Sequence, residues 1–254
     1  MNPNHYFRTE GFTLVEMAIV LAIIALVLGT GLTLLSAQDD QRKIEDTNTL
    51  LGNAQEALIG YAIANGRLPC PASSTSNGVE DPINAATGVA CTVPLNGYLP
   101  AVTLGLSNVD ANGYFQDAWR LPQNRIRYAV TAANTRAATT TDGIKTTTMS
   151  TFSPDLHVCD SASGITATVC NTATTLTSNA VAVIYSLGAN AAATAATSGA
   201  GIDEQANQNG DIVFVSHSVT YAKDAPANGA FDDKVAWISP YILFNRMVQA
   251  GKLP

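Results

Sequence analysis

The chain begins with a short polar segment and then a long apolar run. No charged residue occurs from Met17 to Gln38. At about 1.5 Å per residue, this run would form roughly 33 Å of helix. That length is enough to cross a hydrocarbon core of about 30 Å, so the pattern predicts a membrane span. The polar segment before it, residues 1–11, contains one basic side chain, Arg8.

Glu16 is a carboxylate at the start of this apolar run. A secretory signal peptide would be cut beyond its apolar region, where residues 34–38 offer a poor site. A simple anchor helix would also explain the run. Neither alternative accounts for Glu16, because a charged side chain inside a membrane is costly unless it is paired. We therefore interpret Glu16 as a functional position.

The next segment, residues 41–65, has an amphipathic pattern. Its apolar residues recur at helical spacing, and charged and amide side chains occupy the other face. The apolar face comprises Ile44, Leu51, Ala54, Leu58, Tyr61 and Ala62. No proline interrupts residues 12–65, so one helix is predicted, apolar all round in its first half and amphipathic in its second. Asn65 and Gly66 predict its end.

After residue 66 the pattern changes to short strands separated by polar loops. Strands are predicted at 126–130, 180–188 and 211–216, with an edge strand that ends at 235–238. Ser239, Pro240 and Gly251 predict a short C-terminal helix between them. The fold class is therefore α+β: a long N-terminal helix packed against a small, mainly antiparallel sheet.

Composition narrows the possible functions. Charged residues make up only 13 % of the chain and the net charge is −7. A nucleic-acid-binding protein would instead show clustered Lys and Arg, so no nucleic acid partner is expected. His5, His157 and His217 have no Ser or Cys nearby at a nucleophile-like turn, and no phosphate-binding glycine loop occurs. We therefore expect no enzyme activity.

Four cysteines form two pairs that are close in sequence. Four cysteines allow three pairings, and short loops favour Cys70–Cys91 and Cys159–Cys170. Disulfides require an oxidising compartment, which would place this part of the chain outside the cytoplasm. Buried free thiols are the alternative.

Residues Gly11 to Glu16, with the sequence GFTLVE, resemble the cleavage and methylation motif of type IV prepilins and type II secretion pseudopilins. In that family a membrane aspartyl peptidase cuts after the glycine and methylates the new amine. The resemblance implies cleavage between Gly11 and Phe12, methylation of Phe12, and pairing of Glu16 with the Phe12 amine of a neighbouring subunit during assembly. It divides the chain into a leader (1–11), a transmembrane and filament-core half-helix (12–37), an amphipathic half-helix (38–65) and a globular head (66–254).

The resemblance also implies a function. The chain would be a structural subunit of a type IV pilus-like or type II secretion pseudopilus filament. Its partners would be prepilin peptidase, the inner-membrane assembly platform and other pilins. It would lie in the inner membrane with its head outside the cytoplasm, and then in a periplasmic or extracellular filament. The alternative is a low-copy minor or tip pilin whose head binds a surface, a sugar or an exported protein.

The head loosely resembles that of the major type II secretion pseudopilin. The resemblance rests on the order of four pieces: Asp117/Trp119, Tyr128, Ser186–Gly188 and Asp211–Ile212. In that family a loop of the head often holds calcium, which prefers several oxygen ligands. The implied ligands here are Leu187, Asn190, Asp203, Glu204 and Asp211. The alternative is a solvated acidic loop without metal.

Overall fold

The computed structural model describes residues 11, 13–83, 88–121, 124–191, 201–220 and 228–253, without the side chains of residues 27–37. The chain divides into two compact units, residues 1–43 and 44–254. Its α+β fold combines a long N-terminal helix, a mainly antiparallel sheet structure and a short C-terminal helix. The helices are α1 (Leu14–Asn65), α2 (Ala101–Leu104), α3 (Ala133–Arg136), α4 (Gly143–Thr146), α5 (Ile202–Ala206) and α6 (Pro240–Gln249).

Helix α1 is continuous over 52 residues. It ends where the sequence predicts, because Gly66 has a φ of 68° and its amide donates to the Ala62 carbonyl at 2.8 Å. Glycine adopts this left-handed conformation without the steric cost that other residues meet. In the part of the chain that the structure describes, no helix is long and apolar enough to cross a membrane. Several side chains of the predicted span 12–37 lie outside that part.

Within the residues that the structure describes, seven strands form two sheets. The strands are β1 (Gly97–Tyr98), β2 (Arg127–Val130), β3 (Leu156–Cys159), β4 (Thr175–Ala180), β5 (Ala182–Ser186), β6 (Val213–Val215) and β7 (Lys234–Ile238). One sheet is fully antiparallel in the order β1-β2-β5-β7. The other has the order β4-β3-β6, in which β3 and β6 run parallel. The predicted edge strand is β7, which lies at the edge of the four-stranded sheet.

The predicted strand 180–188 differs from the observed structure. The chain leaves β4 at Ala180 and enters β5 at Ala182, so one apolar run serves two sheets. Val181, between them, is fully buried, and its amide donates to the Ile238 carbonyl at 2.8 Å. An uninterrupted apolar run is consistent with either arrangement, because both leave the run buried.

The largest core cluster lies where the second half of α1 meets the four-stranded sheet and α6. Leu51, Leu58 and Ala62 contribute from α1, and Leu243 and Met247 from α6, all almost fully buried. Ser239 begins α6 as predicted, since its hydroxyl accepts a hydrogen bond from the Tyr241 amide at 3.3 Å. The amphipathic pattern of α1 therefore corresponds to its buried face.

Two disulfides, Cys70–Cys91 and Cys159–Cys170, close loops around these sheets. The arrangement fits the pairing that short loops favour. The first bridge anchors the segment after α1, and the second joins the end of β3 to the loop before β4. Both bridges restrict the unfolded chain, which stabilises the fold.

A strained turn occurs at α3. Asn134, Thr135 and Arg136 all have positive φ values, between 53° and 63°. A left-handed conformation costs roughly 1–2 kcal/mol for a residue with a Cβ, and β-branched Thr135 is the least suited of the three. The side chain of Asn134 fixes the turn by donating to the Thr151 carbonyl at 2.9 Å and accepting from the Ser153 amide at 2.7 Å.

Replacing Thr135 with glycine should therefore stabilise the protein. Relief of the strain outweighs the added freedom of the unfolded chain, so we expect a rise in melting temperature of about 1–3 °C by differential scanning calorimetry. The matched control is Ala132→Gly, at an exposed residue with a φ of −98°. That change should lower the melting temperature, because it adds freedom to the unfolded chain and relieves no backbone strain. A decrease with both variants would show that the turn at Thr135 is not strained.

Candidate functional site

Three carboxylates meet between α5 and β7. Glu204 lies on α5, and Asp232 and Asp233 directly precede β7. Oxygen atoms of these three side chains lie within 4.8 Å of one another. Glu204 is fully buried and Asp233 is 2 % exposed. We call Glu204, Asp232 and Asp233 the acidic cluster.

Part of the acidic cluster is fixed by hydrogen bonds. Glu204 accepts from the Asp232 amide at 3.0 Å through Oε1 and from the Asn190 side chain at 2.9 Å through Oε2. Asp232 Oδ2 accepts from the Ala189 amide at 3.0 Å, and Asp233 Oδ2 accepts from Asn207 Nδ2 at 2.8 Å. The carboxylates therefore hold defined positions.

Two oxygen atoms of the cluster lack such partners. Asp232 Oδ1 and Asp233 Oδ1 are buried and accept no hydrogen bond from the residues that the structure describes. Buried polar atoms are normally satisfied, so each of these oxygens requires an explanation. A bound cation is one such explanation, because carboxylate oxygens are the preferred ligands of hard metal ions. The acidic cluster could therefore hold a metal ion.

The electrostatics of the cluster agree with this possibility. Burial, reinforced by the charge of Glu204, raises the pKa of Asp232 to about 7. Burial also raises the pKa of Asp233 well above its usual range. Lys234 lies next in sequence, and burial lowers the pKa of its ammonium group. A divalent cation would favour the ionised form of all three carboxylates.

Gly188 permits the close approach of Asp232. It has a φ of 63°, and a Cβ at this position would lie only 1.9 Å from Asp232 Oδ1. The neighbouring chain is held by buried polar contacts: Asp117 Oδ2 accepts from Ser186 Oγ at 2.6 Å and from Asn124 Nδ2 at 3.1 Å. Burial raises the pKa of Asp117. The segments singled out by the head resemblance, Asp117 and 186–188, therefore adjoin one another beside the acidic cluster.

The five implied calcium ligands are not all together. Glu204 and Asn190 belong to the cluster region, and Leu187 is buried after β5. Asp203, although adjacent to Glu204 in sequence, accepts hydrogen bonds from Asn228 Nδ2 at 3.1 Å and contacts His217 Nε2 at 3.2 Å.

Asp211 occupies a different local structure. Its Oδ1 caps the Val213 amide at 2.8 Å at the start of β6, and its Oδ2 accepts from Asn209 at 2.7 Å. Sequence reasoning missed Asp232 and Asp233. The signal that could have identified them is two consecutive carboxylates immediately before a strand, in a chain with only 13 % charged residues.

The second site is the start of α1. Thr13 and Glu16 form a reciprocal capping arrangement: the Thr13 amide and hydroxyl both donate to Glu16 Oε2 at 2.8 Å, and the Glu16 amide donates to Thr13 Oγ1 at 3.2 Å. This arrangement satisfies backbone donors at the helix start. It holds the Glu16 carboxylate at the end of α1 that cleavage after Gly11 would expose. Phe12 lies outside the described residues.

Gly11 is exposed, and a Cβ built on it would meet nothing within 4 Å. A family model described as the prokaryotic N-terminal methylation motif matches residues 7–32. The chain carries this methylation motif. The match is consistent with the type IV pilin and pseudopilin family, whose members are processed by prepilin peptidase. No curated protein and no solved structure matches the chain.

The residues that match the methylation motif include the Thr13–Glu16 capping arrangement. The match begins before Gly11 and extends into α1, so it includes both Gly11 and Glu16. It supports a subunit that is processed as prepilins are. The acidic cluster lies outside the matched residues and must be interpreted from its own geometry.

Proposed function

We propose that this chain is a structural subunit of a type IV pilus-like or type II secretion pseudopilus filament. The observation that carries the proposal is the methylation motif at residues 7–32, in which Glu16 is held at the start of α1. In this proposal the precursor is anchored in the inner membrane with its head outside the cytoplasm. Prepilin peptidase and an inner-membrane assembly platform are its partners, and the chain is a substrate of enzymes rather than an enzyme.

Cleavage between Gly11 and Phe12 creates the contact needed for assembly. It releases residues 1–11 and leaves an amine on Phe12, which the peptidase then methylates. In the filament this amine pairs with Glu16 of a neighbouring subunit. Each charge alone would be costly to bury, and together they offset much of that cost. Because Glu16 Oε2 already accepts two hydrogen bonds from Thr13, the carboxylate is oriented before assembly.

Glu16→Ala should separate processing from assembly. We expect mass spectrometry to show normal loss of residues 1–11 and methylation of Phe12. The yield of sheared filaments should fall by about tenfold or more, because an unpaired buried amine is strongly destabilising. The matched control is Glu45→Ala, which removes an exposed carboxylate from the second half of α1.

Normal filament yield from Glu16→Ala would contradict the pairing, and an uncut wild-type precursor in the presence of prepilin peptidase would contradict the function. Copy number tests the role of the subunit. A main component of the filament shaft has a structural role. A chain absent from shafts would instead be a minor or tip pilin, whose head binds a surface, a sugar or an exported protein.

We further propose that the acidic cluster binds calcium. Its donors are oxygens, and calcium takes about six to eight of them. Glu204, Asp232 and Asp233 would hold the ion, with the Leu187 carbonyl and the Asn190 side chain as further ligands. Bound calcium would supply the positive charge that keeps the three carboxylates ionised together, and so would fix α5 against the start of β7.

A further inference from the structure

Three of the four outer edges of the two sheets are covered by the chain itself. β1 is bridged by Ala72, whose amide and carbonyl both form hydrogen bonds with β1 at 2.8 Å. β6 is capped by the Asn207 side chain, which donates to the Val215 carbonyl at 3.0 Å and accepts from the Val215 amide at 2.8 Å. β7 is contacted by α1, because Gln55 Nε2 donates to the Trp237 carbonyl at 2.9 Å. These three edges therefore offer few backbone groups to another strand.

β4 is the outer edge that the described part of the chain leaves uncovered. It has β3 as its one neighbour in the sheet, and no other described segment forms a hydrogen bond with its backbone. At six residues it is the longest of the described strands, and its Leu176 side chain is 44 % exposed. The outer backbone of such a strand presents unpaired amides and carbonyls, to which another extended strand can add.

β4 also lacks most of the features that protect an exposed edge. Natural edge strands are commonly blocked by charged side chains, prolines or bulges. Of these, β4 shows only register shifts in its pairing with β3. No charged residue and no proline occurs in residues 161–202, although the chain as a whole has a net charge of −7. β4 and the segments that adjoin it in sequence therefore bring no charge to a contact at this edge.

The lack of charge around β4 favours a second copy of this chain as the partner. In a two-fold contact the same surface patch is used twice, so a side chain near the axis meets its own copy. Like charges directly opposite each other destabilise paired strands, so an edge that pairs with itself must be uncharged. An edge that binds a different protein has no such requirement. Thr175, Leu176 and Thr177 also suit self-pairing, because hydroxyl and apolar cross-strand pairs are stabilising.

We propose that β4 of one copy pairs antiparallel with β4 of a second copy and joins their three-stranded sheets into one continuous sheet. The contact is isologous and closes with two copies, so it does not propagate along a filament. In the proposed filament it would instead hold the heads of two neighbouring filaments side by side. The contact goes beyond the filament function and does not depend on it, because unassembled chains also carry β4.

Opposite charges at Leu176 test the contact in the full-length chain. In detergent, sedimentation velocity should show a wild-type dimer whose fraction rises with protein concentration. Leu176→Lys and Leu176→Glu should each weaken dimerisation by about fivefold or more, because identical charges then meet across the axis. An equimolar mixture of the two variants should restore the dimer, because unlike charges then meet. Both variants should keep the wild-type melting temperature, because Leu176 is exposed on an edge strand.

A single cysteine provides an independent measurement. Leu176→Cys should give covalent dimers and no larger species with a short bismaleimide, because a two-fold contact brings the same position together twice. The matched control is Val102→Cys, which is 50 % exposed on α2 and should remain monomeric.

Three results would overturn the β4 contact: a wild-type chain that stays monomeric, a dimer that both charge variants retain or that their mixture does not restore, and equal cross-linking of Val102→Cys. None of them bears on the filament function, which is tested by cleavage after Gly11 and by filament assembly. A wild-type chain that dimerises through β4 but is not cleaved would contradict the filament function and leave this contact intact.

Discussion

Calcium at 10 mM should raise the melting temperature of the full-length protein by about 3–10 °C at pH 7.5 and by much less at pH 5. Calcium sites of extracellular modules have Kd values of roughly 0.1–1 mM. Binding to the folded state alone at this concentration then contributes about 1.4–2.7 kcal/mol. The measurement is differential scanning calorimetry in detergent, with and without calcium.

The dependence on pH follows from the raised pKa values in the acidic cluster. Asp232 has a folded pKa of about 7, above its unfolded value. Without metal, the folded protein therefore binds more protons than the unfolded chain between about pH 4 and 7, and its stability falls as pH rises through that window. At pH 5 protons compete with calcium for the cluster. At pH 7.5 fewer protons compete, and bound calcium would favour the ionised carboxylates and compensate for their repulsion.

Two variants separate the acidic cluster from other carboxylates. Asp233→Asn should abolish the calcium response, because it removes an oxygen that has no hydrogen-bond partner within the described residues. Asp211→Asn should keep the full response, because that side chain caps β6 instead. Burial also raises the pKa values of Asp117 and Asp211, but their effect on stability is the same with and without calcium. An unchanged melting temperature at 10 mM calcium, or an equal rise with Asp233→Asn, would contradict the site.

Local sequence patterns were sufficient to predict those structural features that a few neighbouring residues determine. Ser239 and Pro240 predicted the start of α6, because capping depends on adjacent backbone groups. Gly66 predicted the end of α1 for the same reason. β4 was missed, because its sequence, TLTSNA, is polar and mostly exposed. Such an edge strand depends on pairing with β3 and carries no apolar alternation of its own.

The same limit applies to the candidate sites: only a site formed by neighbouring residues could be predicted from the sequence. The motif around Gly11 and Glu16 is continuous in sequence, so it could be predicted without a structure. The acidic cluster brings Glu204 together with residues 28 and 29 positions further along the chain. Asp203 and Glu204 are sequence neighbours but take part in separate hydrogen-bond networks. Composition does not distinguish them, because only the fold determines which carboxylate points toward Asp232.

Glu80→Ala should destabilise the protein by about 3–5 kcal/mol, because it leaves Arg67 as an unpaired buried charge. Both residues are 5 % exposed. Their pairing is bidentate, with Arg67 Nη1 donating to Glu80 Oε2 at 2.8 Å and Nη2 donating to Oε1 at 2.7 Å. Arg67 Nη2 also donates to the Tyr61 hydroxyl at 2.9 Å, and the Cys70 amide donates to Glu80 Oε2 at 3.1 Å. The pair therefore joins the end of α1 to the disulfide-closed loop.

An exposed ion pair in the same protein provides the control. Arg246 Nη2 lies 2.6 Å from Glu56 Oε1, but the two side chains are 43 % and 63 % exposed. Glu56→Ala should therefore cost about 1 kcal/mol or less in a urea titration. Combining Glu80→Ala with Arg67→Met should recover part of the loss, because the remaining group is then apolar. Equal destabilisation by Glu80→Ala and Glu56→Ala would show that burial does not determine how much each ion pair contributes to the free energy of unfolding.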